Sequence, residues 1–172
     1  MSRATEPGSF GERIRCLGCG CPVSASSGPT HRYIGASPGC WALYGELLGG
    51  GLPDRLSTLA VDAYAVQHPG VPGPQSSQSV WVHLIALHLV LDEGWPAEQA
   101  VRLRSAAADA CRGWAWLPEP ASRGAVTVAD VVAVGRAERG RVVEAWVRGA
   151  WESWARHHAA VRERAAAIVP RR

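Results

Sequence analysis

The sequence has no lysine: all 18 basic residues are arginine, set against 15 acidic ones for a formal net charge of +3. The arginines run from Arg3 to Arg172, interleaved with Asp and Glu. They do not gather into the stripe that a nucleic-acid binder presents to phosphates, so no nucleic-acid partner is expected. The excess of Arg, Ala, Gly and Val reads as the base composition of a genome. No apolar run reaches the roughly 18 residues that span a bilayer, so no membrane partner is expected either. Met1 to Gly11 carries no apolar stretch of signal-peptide type, which points to a cytoplasmic location. Five cysteines, an odd count without a secretory signal, argue against a disulfide framework. No stretch shows the apolar–polar alternation of a half-buried strand.

What is present is enough apolar matter for a core, 47% of 172 residues, and a run of helical patterns. Residues 1–39 are rich in Gly, Ser, Pro and Cys and cannot build a core, so they form a loop-rich, cysteine-bearing segment packed on the rest. Residues 40–169 read as a helical bundle and 170–172 as a tail, one domain overall. Helices are expected over Cys40–Leu48, through Leu56–Val66, over Ser79–Glu93, from Pro96 to Arg112, and after an N-cap at Thr127. One long helix, from Ala137 to Val169, is expected to close the chain with a seam that includes Trp154 and His158. Pro69 ends the second helix, because the residue before a proline is driven from the helical region. The segment from Pro69 to Ser77 reads as an ordered turn or lid. The third helix is apolar nearly all round and belongs at the bundle's centre. The fold class expected is all-α, a helical bundle with an N-terminal zinc-knuckle segment.

Chemistry concentrates in two places. Cys16-Leu17-Gly18-Cys19-Gly20 is a CxxCG knuckle, whose two thiolates grip one tetrahedral ion while glycine lets the backbone turn around sulfur. Zinc suits such soft donors. Cys40 supplies a third ligand. The fourth comes from Cys21, His31, His68 or water. His31 is taken first, because it lies in the same segment and needs no long-range assumption. A redox role for the CxxC is disfavoured, since such motifs open a helix after a strand. Cys111 sits alone among alanines and reads as a small buried apolar residue.

The second place is a set of histidines. Asp62 and His68 lie six residues apart, on different faces of an unbroken helix, and only the break at Pro69 could swing His68 back. His68 and His83 flank the Pro/Gly loop. His83 and His88 are five apart, roughly 140° around a helix axis, and cannot hold one ion together. His158 falls in the apolar seam and must find a polar partner. Converging, His68, His83 and His158 would line a pocket able to run acid–base chemistry, with Asp62 orienting a histidine and Tyr64 as acid or hydrogen-bond donor. Separately bonded core histidines are the alternative. Gln67, Gln75 and Gln78 read as surface residues or as the pocket's mouth. Eight tryptophans mostly fill core.

The phrases Cys16-x-x-Cys19-Gly20, Ser37-Pro38-Gly39-Cys40-Trp41, Val61 to Gly70 and Ser79-Val80-x-Val82-His83-Leu84 resemble a bacterial family known only as a domain of unknown function. The closing phrase from Glu144 to His158 is similar to the same family's end, so the resemblance spans about Cys16 to Val161. It implies a metal-binding family and marks Cys16, Cys19, Cys40, His68, His83 and His158. Cys21 stands where the resemblance implies a small residue, and Ser57 where it implies a histidine. His83 and His158 in bundle helices also give a likeness, at the level of fold alone, to DinB-like and thiol-transferase bundles that hold one divalent ion. Two functional readings stay open. One is a small zinc-binding protein acting on a small molecule in specialised metabolism, through Asp62, Tyr64, His68, His83 and His158. The other is a non-enzymatic, zinc-stapled module that binds a protein partner through exposed Trp and Arg.

Overall fold

The computed structural model describes residues 12–169; the stretch read for a signal peptide and the expected tail at 170–172 lie outside the described residues. Two short antiparallel strands, β1 (Arg13–Arg15) and β2 (Pro22–Ser24), open the chain, with Ile14 opposite Val23. The expectation of no strands is corrected here. Three residues are too few for an alternating pattern to register in sequence. Between the strands the chain makes the cysteine knuckle. Cys16 N–H donates to the Cys21 carbonyl at 2.9 Å, and Gly20 N–H to the Cys16 carbonyl at 3.0 Å. Gly20 has φ +76°, a left-handed turn that favours glycine.

The rest is helical: α1 (Pro38–Gly49), α2 (Asp54–Gln67), α3 (Pro74–Leu91), α4 (Ala97–Ala110), α5 (Val128–Ala133), α6 (Arg136–Ser153), a 3-10 turn (Ala155–His157) and α7 (His158–Ile168). The all-α expectation holds. The apolar helix α3 lies between α2, α4, α6 and α7, as a helix without a polar face must. It begins at Pro74 in the first turn, so half of the expected loop is helix. Thr127 caps α5: its N–H and hydroxyl both donate to Asp130 Oδ2, at 2.8 and 2.7 Å. Among the described residues no helix is long and apolar enough to cross a membrane.

The long closing helix is corrected to two helices with a break at Trp154. No Gly or Pro marks it. Trp154 is fully buried, its indole N–H donates to the Val66 carbonyl at 3.1 Å, and the turn after it is tied to the connector between α4 and α5, His157 Nε2 donating to the Pro118 carbonyl at 2.8 Å. The helix yields so that these side chains reach α2 and the connector.

Gln67 is also a correction. It is wholly buried rather than on the surface. Its amide donates to the carbonyls of Arg123 and Val126 at 2.7 and 2.9 Å and accepts the Trp146 indole N–H at 2.7 Å. Every polar atom is satisfied, as burial demands. This knot fixes the end of α2, where the site begins. Cys111 is buried as expected; burial pushes its thiol up to about 12, against an opposing pull from Arg164.

Candidate metal centre and adjoining cleft

The end of α2 follows from Pro69. Without an amide hydrogen, Pro69 cannot continue the helical ladder, and it drives His68 to φ −128°, ψ 59°, outside the helical region. His68 N–H then bonds the Ala65 carbonyl at 3.2 Å, which releases the Tyr64 carbonyl. His68 Nδ1–H donates to that freed carbonyl at 2.7 Å. The backbone bond fixes the ring's orientation and turns Nε2 away from α2.

Nε2 meets three sulfurs. The donor atoms of Cys16, Cys19, Cys40 and His68 all lie within 4.8 Å of one another. Cys19 Sγ and Cys40 Sγ are 3.9 Å apart, and Cys40 Sγ is 3.4 Å from His68 Nε2. A tetrahedral ion with sulfur at ~2.3 Å sets its sulfurs ~3.8 Å from one another, so these spacings fit one ion. No disulfide joins them; all five cysteines are free. Outer contacts hold the donors. Ser37 N–H points at Cys16 Sγ at 3.4 Å, and the Tyr64 hydroxyl at Cys40 Sγ at 3.6 Å. Tyr64 stacks between Tyr44 and the His68 ring, with centroids 3.9 and 4.0 Å away. Arg123 ties the knuckle to α2, donating to the Gly18 carbonyl at 2.7 Å and the Gln67 carbonyl at 3.2 Å.

Without an ion, the charges of this cluster settle unevenly. Hydrogen bonds from the Cys19, Cys21 and Cys40 thiols hold Cys16 far below the ordinary thiol range. Cys16 and Cys19 in turn push Cys40 up, as does burial. Burial acts to lower His68, but the thiols of Cys16 and Cys19 outweigh it and raise the imidazole to about 9.

The residue that joins the three sulfurs in this group is His68, where His31 was expected. His31 lies before α1 with its ring edge-on to Tyr33 at 4.1 Å and near Trp41, outside the group of four. Cys21 stands beside the cluster, Sγ 3.9 Å from Cys40 Sγ, but outside the group of four. Ser57 sits one turn into α2, eleven residues before His68 and so roughly 16 Å along the axis; its hydroxyl donates to the Leu52 carbonyl at 3.3 Å.

The five residues expected to share one pocket separate. His68 belongs to the sulfurs. His158 stacks on Trp151 at 3.7 Å and donates from Nε2 to the Trp151 carbonyl at 3.0 Å. Trp151 in turn reaches Asp92, which is bonded to His88, so His158 sits with the far end of α3. The break at Trp154 put it there. Asp62 and His83 do meet, across α2 and α3. His83 Nδ1 donates to Asp62 Oδ1 at 2.7 Å, and Arg104 of α4 donates to Asp62 Oδ2 at 2.6 Å. Asp62 is fully buried with both oxygens paired. Arg104 was not legible in the sequence: no motif surrounds it, and only the packing of α4 brings it in.

His83 lines two adjoining cavities, which also share Tyr33 and Ser79. One, of about 320 Å³, is lined in part by Arg32, Gln75, Gln78 and Ser79. The other, of about 170 Å³, is aromatic, walled by His31, Trp41, Tyr44 and Tyr64. With Nδ1 given to Asp62, the Nε2 of His83 is the nitrogen left for the cleft. It is an imidazole of fixed tautomer, able to take or return a proton. Burial, then the nearby Cys40, raises the Tyr64 phenol well above its ordinary value, and its hydroxyl donates toward Cys40 Sγ while its ring walls the aromatic cavity.

Searches of curated proteins and of solved structures returned no match. A family model does match, over residues 14–155, which spans the knuckle, both cavities and the helices that carry them. The chain belongs to the family of unknown function DUF5946.

Proposed function

We propose that the protein is a zinc-stapled helical enzyme whose cleft binds a small polar molecule and moves a proton on it through His83. Zinc is the metal that three thiolates and one imidazole at tetrahedral spacing suit best. Four protein donors close the site, so the ion's role is structural: it clamps the coreless hairpin onto α1 and the end of α2. The observation that carries the catalytic part is the chain Arg104–Asp62–His83, a buried carboxylate that orients a histidine at the wall of a cleft. Gln75, Gln78, Ser79 and Arg32 would orient a polar substrate, and the tyrosines and Trp41 would hold a flat portion of it.

Two measurements test this. Elemental mass spectrometry on the native protein, Cys16→Ser and His83→Ala should find one zinc per chain, lost in the first variant and kept in the second. Zinc lost with His83→Ala would move the ion into the bundle and end the structural reading. Ligand-observed NMR with metabolite mixtures should then find a binder of native protein that His83→Gln weakens. A binder indifferent to His83 would remove the enzymatic reading.

A protein-interaction role is the second reading. It is favoured by Leu17 in the knuckle and Val71 just past His68, apolar side chains 84% and 76% exposed. In that case Leu17→Ser, and not His83→Gln, would abolish the biological activity.

A further inference from the structure

Cys21 is unaccounted for by a four-donor site. It is buried, 4% exposed, and its thiol faces those of Cys16, Cys19 and Cys40, at 3.9 Å from the last. It lies outside the group of four donors that includes His68. The hairpin places it there: Cys16 N–H bonds the Cys21 carbonyl, so residues 16 and 21 are held as the pair next to β1 and β2. A buried thiol with three sulfurs on one side is spare as packing, since Ala or Val would fill the same space without a polar atom.

We propose that Cys21 is a fifth donor of the metal centre, and that the ion can pass from a Cys3His set to a four-thiolate set by exchanging His68 for Cys21. The exchange is balanced by one proton. The Cys21 thiol gives up its proton on binding the metal, and the released His68 Nε2 takes one. No oxidant or reductant enters. His68 need not move: its Nδ1 bond to the Tyr64 carbonyl keeps the ring in place while the ion shifts toward Cys21. Soft ions favour the thiolate-rich set, so the same pocket would accommodate zinc in one form and cadmium in the other.

The inference rests on the metal reading of the cluster, and cobalt(II) separates the two. Cobalt reports its thiolate count through the intensity of sulfur-to-metal charge transfer. Native protein and Cys21→Ala should give the same three-thiolate spectrum and the same metal content. His68→Ala should still bind one cobalt, with charge-transfer intensity raised by about one third and zinc affinity lowered only about tenfold. His68→Ala/Cys21→Ala should lose about a further hundredfold. A His68→Ala protein with three thiolates, unaffected by removing Cys21, would overturn the proposal. So would Cys21→Ala that fails to retain zinc, since Cys21 would then be an obligatory ligand rather than a spare. If His68→Ala does not fold by circular dichroism, cadmium-loaded native protein is compared with Cys21→Ala. The charge-transfer absorbance should fall by about a quarter in the variant, and no change would overturn the proposal. Native protein that takes up neither cobalt nor cadmium would remove the metal reading itself.

Discussion

At the scale of single residues, the metal centre depends on a missing side chain as much as on the donors. A Cβ built on Gly18 would lie 2.2 Å from His68 Cδ2 and 2.7 Å from the Gly35 carbonyl. The knuckle can close on the imidazole only because position 18 is bare. Gly18→Ala must push the hairpin off α2, at a cost of about 1–3 kcal/mol, and it should lower zinc affinity at least tenfold. Competition with a chromophoric chelator measures the affinity and urea denaturation the stability; unchanged affinity would mean the hairpin has room to shift. His68 supplies a second expectation. In the metal-free protein its pKa is raised to about 9, so at neutral pH the imidazole carries a proton that the metal must displace. Zinc binding should therefore release a proton from His68 in addition to those from the thiols. That contribution persists below pH 9 and vanishes as pH rises through it. Calorimetry in buffers of different ionisation enthalpy counts the protons, and His68→Ala should release fewer at pH 7.

At the scale of elements, Pro69 decides where α2 stops and what its last residue does. Pro69→Ala restores the amide hydrogen, so the helix can continue through His68 and reclaim the Tyr64 carbonyl for the backbone. His68 would lose its fixed orientation and turn with the helix. Zinc affinity is expected to fall roughly tenfold to a hundredfold while helicity by circular dichroism rises slightly. A variant with native affinity would show that the Gln67 knot alone sets the direction of His68. The proline stop was legible from the sequence, and so were the knuckle and Cys40, because each depends on residues adjacent in the chain. His68 as the fourth donor was not the first choice, since its approach to the sulfurs depends on tertiary packing through Arg123, Gly18 and Tyr64. The break at Trp154 was illegible for a similar reason. No helix-breaking residue announces it, and only the contacts of Trp154 and His157 with Val66 and Pro118 impose it. That break separates His158 from His83, and with His68 held among the sulfurs the one expected pocket becomes three histidine environments.

At the scale of the whole molecule, the two halves are held by different forces. The bundle buries a continuous apolar core that includes Leu59, Leu84, Leu87, Val143, Trp146 and Trp151. The segment from Glu12 to Ser37 contributes Val23, Ala36 and its cysteines, with Ile14 and Ile34 half-buried against the core, and most of its exposed residues lie between Ser24 and Thr30. On the proposed reading its order comes from the ion, together with hydrogen bonds such as those of Arg123 and Ser37. Metal removal should therefore be local. With a strong chelator under reducing conditions, amides of the β1–β2 hairpin should exchange hydrogen at least a hundredfold faster, while those of α3 keep most of their protection. The wall formed by Tyr33 and Arg32 should loosen with the hairpin, because these residues leave the knuckle segment only to cover the cleft beside His83. A ligand of the cleft should accordingly bind more weakly to the chelated protein and recover when zinc is restored. If α3 loses protection together with the hairpin, the ion instead supports the entire fold. The helical core would then be too weak to stand alone, and the separation of staple from bundle would fail at its main point.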